Sequence, residues 1–419
     1  MTPYPHICYA QSGGATAVIN ASASGLIQAS RETSAVGDVF VARNGILGVI
    51  NEDLIDTTHE SDAAIAALKH TPGSAFGSCR YKLKGDRGAL DLKRIFEVFK
   101  AHKIGYFFYN GGNDSQDTLL QISSYAQKIN YPLKAIGIPK TIDNDLTKTH
   151  FSPGYPSAAK FLATITQEIH LELIGMGHTS TQVFILEVMG RNSGWLAGAC
   201  GYNPSGGQLA PDLILFPERA FDTKDFLKKV SQCVKLKGSC MIIASEGICD
   251  AHGQLLTSSH STDSFGHPQL GGVAPYLSSL IGKHHAYKNH WAKPDYIQRA
   301  SRHLASSVDV ELAFNLGKEA LIQAQRGVSD VMLSIKPHAT KHNDWEIQTT
   351  PVSEVANKEK KLPDHFVSHD GYGITDDFQN YLKPLLTGEA PSPFLDGIPN
   401  YTILKNINLH KKVNATEFV

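Results

Sequence analysis

The chain of 419 residues is long enough for two domains of ordinary size, each with its own core. A hydrophobic fraction of 42%, a charged fraction of 19% and a formal net charge of −1 fit a globular enzyme, and they give no electrostatic reason to expect nucleic acid or an anionic membrane as a partner. The histidines are scattered and no Cys-x-x-Cys pair occurs, which argues against a structural zinc site.

Apolar runs of strand length alternate with helix-like segments along the chain. A strand is expected over 6–10, a helix over 15–30 and a strand over 38–42. Helices around 63–69 and 92–102 lead into a strand over 105–109, and another strand runs over 135–138. Further strands are expected over 182–189, 213–216, 240–244 and 331–335, with helices over 156–172, 223–236, 275–287 and 308–325. This β-α alternation argues for parallel sheets with helices on both faces. The Ser-, His- and Gly-rich stretch 253–273 reads as a long loop of the kind that covers a site or moves. The tail after His338 mixes Lys-rich turns with one helix over 376–386 and shows no catalytic pattern, so packing or subunit contact is its expected role.

Six cysteines (Cys8, Cys79, Cys200, Cys233, Cys240, Cys249) follow no framework spacing and several sit in apolar runs, as buried reduced thiols of a cytosolic protein would. The N-terminus has no basic stretch followed by an apolar core, and no uncharged apolar run approaches membrane-spanning length. A cytoplasmic location is expected.

Parallel sheets bind ligands at the carboxyl ends of their strands, and the polar motifs fall there. Gln11-Ser12-Gly13-Gly14-Ala15 joins the first strand to the first helix. Its glycines let the backbone approach a ligand and the helix start offers amides to an anion; the same turn also serves as a plain structural link. The loop from Thr71 to Arg80 is rich in Gly and Ser and ends in a cation that can fork onto phosphate oxygens or form a surface ion pair. Gly111-Gly112-Asn113-Asp114-Ser115 sets a carboxylate at a Gly-Gly turn, suited to metal–phosphate binding or to capping a helix.

Pro139-Lys140-Thr141-Ile142-Asp143-Asn144-Asp145 is the most specific motif. Two carboxylates two residues apart, flanked by Thr and Asn, are costly to place at a strand end without a purpose; the alternative is a polar turn that caps the next helix. Met189-Gly190-Arg191 and Ser245-Glu246-Gly247 end two further strands, and Tyr296-Ile297-Gln298-Arg299 adds another cation. Together the segments describe a site for a phosphorylated ligand and a metal.

In this order, over roughly residues 5–335, these segments resemble the phosphofructokinase family. The resemblance implies an α/β fold of two similar, doubly wound parallel-sheet domains with the active site in the cleft between them. Residues 1–155 with about 298–350 would form the donor (diphosphate)-binding domain, 156–297 the sugar-phosphate domain, and 351–419 an extension packing on the domains or making a subunit contact. It implies that Gly13, Gly14, Arg80 and Gly112 bind the donor, and that Thr141, Ile142 and Asp143 bind the sugar phosphate, with Asp143 as the base. Met189, Gly190, Arg191, Glu246, Tyr296, Ile297, Gln298 and Arg299 would hold the fructose phosphate. Mg²⁺ is the implied cofactor, with Asn113 and Asp145 as its candidate ligands, and a homodimer or higher homo-oligomer is the implied assembly.

Two positions bear on the donor. ATP-using members of the family have Gly-Gly-Asp-Gly-Ser and Pro-Gly-Thr-Ile-Asp-Asn-Asp; here Asp114 and Lys140 stand in place of glycines. A carboxylate near a nucleotide α-phosphate repels it by up to ~4 kcal/mol at 4 Å and an effective dielectric of 20. Lys140 adds a cation for the bridging and transferring oxygens of diphosphate. Asp114, Lys140 and Asp143 are therefore the expected catalytic set, and diphosphate the expected donor.

Three positions depart from the family pattern. Asn113 replaces a metal-associated Asp, and Asp145 is the carboxylate that compensates. Gln182, seven residues before Met189, and His290, six before Tyr296, stand where ATP-using relatives carry arginines, with Lys293 as a substitute charge. The expected reaction is reversible phosphoryl transfer from diphosphate to the C1 hydroxyl of fructose 6-phosphate, in glycolysis and gluconeogenesis. The alternatives are an ATP-dependent phosphofructokinase, a diphosphate-dependent kinase for another sugar phosphate such as sedoheptulose 7-phosphate, and a non-catalytic regulatory relative.

Overall fold

The computed structural model describes residues 5–206, 209–257, 272–340 and 344–414. Its strands in chain order are β1 (His6–Gln11), β2 (Val39–Ala42), β3 (Leu54–Asp56), β4 (Ile104–Gly111), β5 (Lys134–Pro139), β6 (Val183–Val188), β7 (Leu213–Leu215), β8 (Cys240–Ser245), β9 (Asn289–Ala292), β10 (Val331–Pro337) and β11 (Trp345–Pro351), followed by a two-strand hairpin near the C-terminus. The helices are α1 (Ile19–Arg31), α2 (Ile46–Ile50), α3 (Asp62–Ala67), α4 (Gly85–Ala101), α5 (Asn113–Lys128), α6 (Tyr155–Met176), α7 (Trp195–Ala199), α8 (Thr223–Lys237), α9 (Val273–His284), α10 (Ile297–Ala300), α11 (Ser307–Gln325) and α12 (Asp376–Leu385). Two compact units result: Met1–Gly154 with Arg299–Glu359 and Glu389–Val419, and Tyr155–Gln298 with Lys360–Gly388.

The first unit holds a seven-stranded sheet in the order β11-β10-β5-β4-β1-β2-β3. The five inner strands are parallel, and only the two edges, β3 and β11, run antiparallel to their neighbours. The sheet is therefore parallel-rich, as expected, with an antiparallel strand added at each edge. Strand β11 went unforeseen because Glu346, Gln348, Thr349 and Thr350 give it the polar, half-exposed pattern of an edge. On one face Cys8, Ala10, Phe107, Tyr109 and Ala135 pack with Ile95, Phe96, Phe99, Leu119 and Ile122 of α4 and α5. That α5 exists settles how the 111–115 segment folds: Gly112 caps it, and Asn113 and Asp114 form its first turn.

On the other face α1 and α11 meet backbone to backbone. A Cβ on Gly25 would lie 2.0 Å from the Phe314 carbonyl oxygen, and one on Gly317 would lie 2.0 Å from that of Ser22. The expected start of α1 at residue 15 moves to Ile19, because Ala15–Val18 complete the turn above Gly13 and Gly14.

The second unit carries four parallel strands in the order β7-β8-β6-β9. Val183, Ile185, Cys240, Ile242 and Ala244 pack on one face against Phe226 and Val230 of α8 and Leu277 and Ile281 of α9. The two sheets are thus alike in being parallel-rich but unlike in size. Of the long loop expected over 253–273, residues 258–271 lie outside the described residues. All six cysteines are free thiols, with Cys8, Cys200 and Cys240 buried. Among the described residues no helix is long and apolar enough to cross a membrane.

The α1–α11 contact yields a test of packing. Gly317→Ala forces two helix backbones apart and should cost about 1–3 kcal/mol, read as a fall of several degrees in Tm by thermal denaturation. An unchanged Tm would show that the helices separate freely.

Candidate active site

In the first unit two loops are stitched together at the carboxyl end of β1. Ser12 bridges Cys79 in parallel register, the Gly13 amide donates to the Cys79 carbonyl at 3.0 Å, and the Ser78 hydroxyl donates to the Gly13 carbonyl at 2.6 Å. Buried Asn20 of α1 secures the same loop, donating to the Thr71 carbonyl at 2.8 Å and accepting from the Ala75 amide at 3.0 Å. Arg80, the end of this loop, thereby comes close enough to Lys140 for its charge to be felt there.

Lys140 follows β5 and is only 4% exposed. Its backbone amide donates to the Gly111 carbonyl at 3.1 Å, and its Nζ donates to the Gly14 carbonyl at 2.6 Å. A Cβ on Gly14 would lie 2.4 Å from Nη1 of Arg299, and Gly13, at φ +77°, leaves 3.2 Å between a would-be Cβ and the Lys140 ammonium. The two glycines are thus demanded by the cations they carry. Burial, with Arg299 and Arg80 nearby, pushes the Lys140 pKa down to about 7 against the opposing pull of Asp143 and Asp145. Arg299, expected with the sugar-binding set, lies against Gly14 and close to Lys140.

Asn113 and Asp114 face different ways from the first turn of α5. Asn113 donates to the Lys358 carbonyl at 2.7 Å and accepts from the Asn357 amide at 2.6 Å, so its amide fastens the 357–358 turn. Asp114 pairs with Lys82, Oδ1 to Nζ at 2.7 Å. Gly112 lies beside Lys140, a Cβ there falling 3.5 Å from the Lys140 carbonyl oxygen.

The segment after Lys140 closes on itself. Thr141 bridges Gly154, its amide donating to the Pro153 carbonyl at 3.2 Å, while its hydroxyl accepts from the Asp143 amide at 3.1 Å. Ile142 is buried packing. Asn144, buried at φ +54°, accepts from the Ser152 amide at 3.1 Å. This turn presents Asp143 and Asp145 together. Burial, and then the neighbouring Asp143 charge, push Asp145 up to about 7, and its Oδ1 is buried with no hydrogen-bond partner. An orphaned carboxylate oxygen beside a second carboxylate suits a hard divalent cation, which supplies the missing partner and removes the repulsion.

The second unit carries its own constellation. The Glu246 amide donates to the Val188 carbonyl at 2.9 Å, Ser245 Oγ donates to the Gly190 carbonyl at 2.7 Å, and the Gly190 amide donates to Glu246 Oε1 at 3.4 Å. Burial pushes the Glu246 carboxyl up, while Lys293 and Arg191 hold it down. Buried Gln298 accepts from the Met189 amide at 3.2 Å, tying the 296–298 segment to the end of β6. Tyr296 and Ile297 remain well exposed. Gln182 lies at the amino end of β6, a full strand away from Met189, and His290 is exposed on β9. Lys293 is committed to Glu187 at 3.5 Å and to Asp295 at 3.9 Å.

Sequence reasoning missed Ser78, Lys82, Glu187 and Glu359. Lys82 had a signal: in the extended run Arg80-Tyr81-Lys82, alternate side chains share a face. Glu187, which accepts from the Ala274 amide at 2.8 Å at the start of α9, and Glu359, whose charge reaches Asp145, have partners too remote in sequence to be seen.

The profile of the Phosphofructokinase family matches residues 6–323. The pyrophosphate–fructose 6-phosphate 1-phosphotransferase of Methylococcus capsulatus is 49% identical over 410 residues, covering 97% of this chain and 98% of that one. The enzyme of the same name from Xanthomonas campestris is 50% identical over 415 residues, covering 98% and 99%. The crystal structure of a pyrophosphate-dependent phosphofructokinase from Marinobacter aquaeolei superposes with a TM-score of 0.90 at 47% identity, over 99% of this chain and all of the other. Both the strand-end motifs and these full-length likenesses lead to one conclusion: the chain belongs to the phosphofructokinase family.

Proposed function

We infer that this phosphofructokinase transfers a phosphoryl group from diphosphate to the C1 hydroxyl of fructose 6-phosphate, giving fructose 1,6-bisphosphate and phosphate. The observation that carries the donor assignment is the Lys140 ammonium, buried on the Gly14 carbonyl with Arg80 and Arg299 close by. Three cations around one glycine loop match a small, densely charged donor.

Phosphoryl transfer demands positioning, charge neutralisation and proton removal. In the first unit, Gly13, Gly14 and Gly112 supply close backbone approach, and Arg80, Lys140 and Arg299 face the donor oxygens. Asp143, held by its amide bond to Thr141, accepts the proton of the C1 hydroxyl. Asp145, with its orphaned Oδ1, would hold Mg²⁺, which when bound neutralises charge on the diphosphate oxygens. The metal assignment moves away from Asn113, whose amide is engaged by the 357–358 turn. In the second unit, Arg191 takes the sugar phosphate and Glu246 accepts from a sugar hydroxyl, with Met189, Gly190 and Gln298 shaping the pocket and Tyr296 and Ile297 beside it. With Lys293 spent on Glu187, few fixed cations grip the far phosphate, which favours tolerance of longer acceptors such as sedoheptulose 7-phosphate as a second reading.

The first test compares diphosphate with ATP as donor to fructose 6-phosphate in the presence of Mg²⁺. Turnover with diphosphate alone is expected, and turnover with ATP alone overturns the donor assignment. Asp143→Ala should lower kcat by about 10²–10⁴ with little change in either KM; substantial residual kcat would remove Asp143 as the base. Lys140, with its pKa near 7, is cationic below that pH and loses its charge as pH rises. The KM for diphosphate should therefore climb from pH 6 to pH 8, and Lys140→Met should flatten that climb relative to wild type. A profile identical in both proteins would show that Lys140 does not titrate against the donor.

A further inference from the structure

The Asp114–Lys82 pair resolves a difficulty in the donor site. Diphosphate and the phosphate tail of a nucleotide are both anions, so a bare carboxylate at Asp114 would repel the right donor along with the wrong one. Lys82 sits on that carboxylate at 2.7 Å, with its side chain 19% exposed and that of Asp114 31% exposed. Its placement follows from the backbone. Beyond Cys79 the chain runs without helix or turn to Lys84, and alternate residues of an extended segment point the same way. Lys82 pairs with Asp114, while Tyr81 before it donates to Asp91, and the charge of Arg80, two residues before Lys82, is felt at Lys140.

We propose that Lys82 is a donor-positioning residue: by neutralising Asp114 it lets diphosphate approach the cationic glycine loop. The inference rests on diphosphate being the donor and adds the group that makes Asp114 compatible with it. Lys82 acts through Asp114 and is a positioning residue. A partly exposed pair contributes little to stability, so its selective value lies in the charge it cancels at the donor.

The test is steady-state kinetics with fructose 6-phosphate and either diphosphate or ATP, on wild type, Lys82→Met, Lys82→Arg, Asp114→Asn and the Lys82→Met/Asp114→Asn double variant, each with its Tm. Lys82→Met should raise the diphosphate KM about tenfold, the effect of one unscreened unit charge at moderate distance. Its kcat, its fructose 6-phosphate KM and its Tm should stay near wild type, and it should still refuse ATP. Lys82→Arg should restore the diphosphate KM, and the double variant should match Asp114→Asn, because removing the carboxylate removes the need for its partner. An unchanged diphosphate KM in Lys82→Met overturns the proposal. So does a raised KM that Asp114→Asn fails to relieve, which would mean that Lys82 grips diphosphate directly. A fall in Tm with both KM values altered would reduce Lys82 to a structural role. Wild-type turnover with ATP in place of diphosphate would instead sink the donor assignment itself, and is read separately.

Discussion

Burying the Lys140 ammonium near two guanidinium groups is unfavourable, and the way the fold tolerates it organises the glycine loop around it. The ammonium needs an acceptor, which the Gly14 carbonyl provides. That carbonyl is reachable because residues 13 and 14 lack side chains, and the same absence lets Arg299 lie against the loop. The loop in turn is held in place by the Ser78 hydroxyl and the Cys79 carbonyl, so the 71–80 segment and Arg80 come with it. What remains is an excess of positive charge at one end of the sheet and a pair of mutually repelling carboxylates, Asp143 and Asp145, close by.

The same economy explains the division of labour within the Thr141–Asp145 turn. Thr141 and Asn144 spend their side chains on backbone amides, and Ile142 is buried. Asp143 and Asp145 stand together on the same turn, close enough for the Asp143 charge to act on Asp145. In the second unit the pattern recurs with different residues: Ser245 and Gln298 are committed to backbone groups near Gly190 and Met189, and Glu246 accepts from the Gly190 amide with Arg191 and Lys293 close by. Each strand end thus combines polar side chains that fix the loop with ionisable ones set beside them.

Much of this was legible in the amino-acid sequence. Inner strands such as β4 and β8 are largely apolar, buried runs closed by Gly111 and Ser245, as strands covered on both faces are. Helix α4 was foreseen only from residue 92, because Gly85 and Gly88 read as loop, whereas Gly88 fits under the turn at Leu83. The role of Asn113 could not be read locally, since its partners lie at 357 and 358. The pairing of Asp114 was also missed: the ~4 kcal/mol repulsion expected of a bare carboxylate presumed no partner, although the alternation of Arg80 and Lys82 offered a signal. Arg299 was assigned by its neighbours in sequence, while its position is decided by the short helix α10, which carries it to Gly14.

The glycine contact between α1 and α11 bears also on how the chain is made. Helix α1 is synthesised near the start, whereas its partner α11 and strand β10, which pairs with β5, emerge only after the whole of Tyr155–Gln298. A nascent chain that has reached residue 298 can complete its four-stranded sheet, yet it still exposes one flank of β5 and the small-residue face of α1. The seven-stranded unit therefore closes late, through contacts of long sequence separation, which makes its assembly the slow and aggregation-exposed stage of folding.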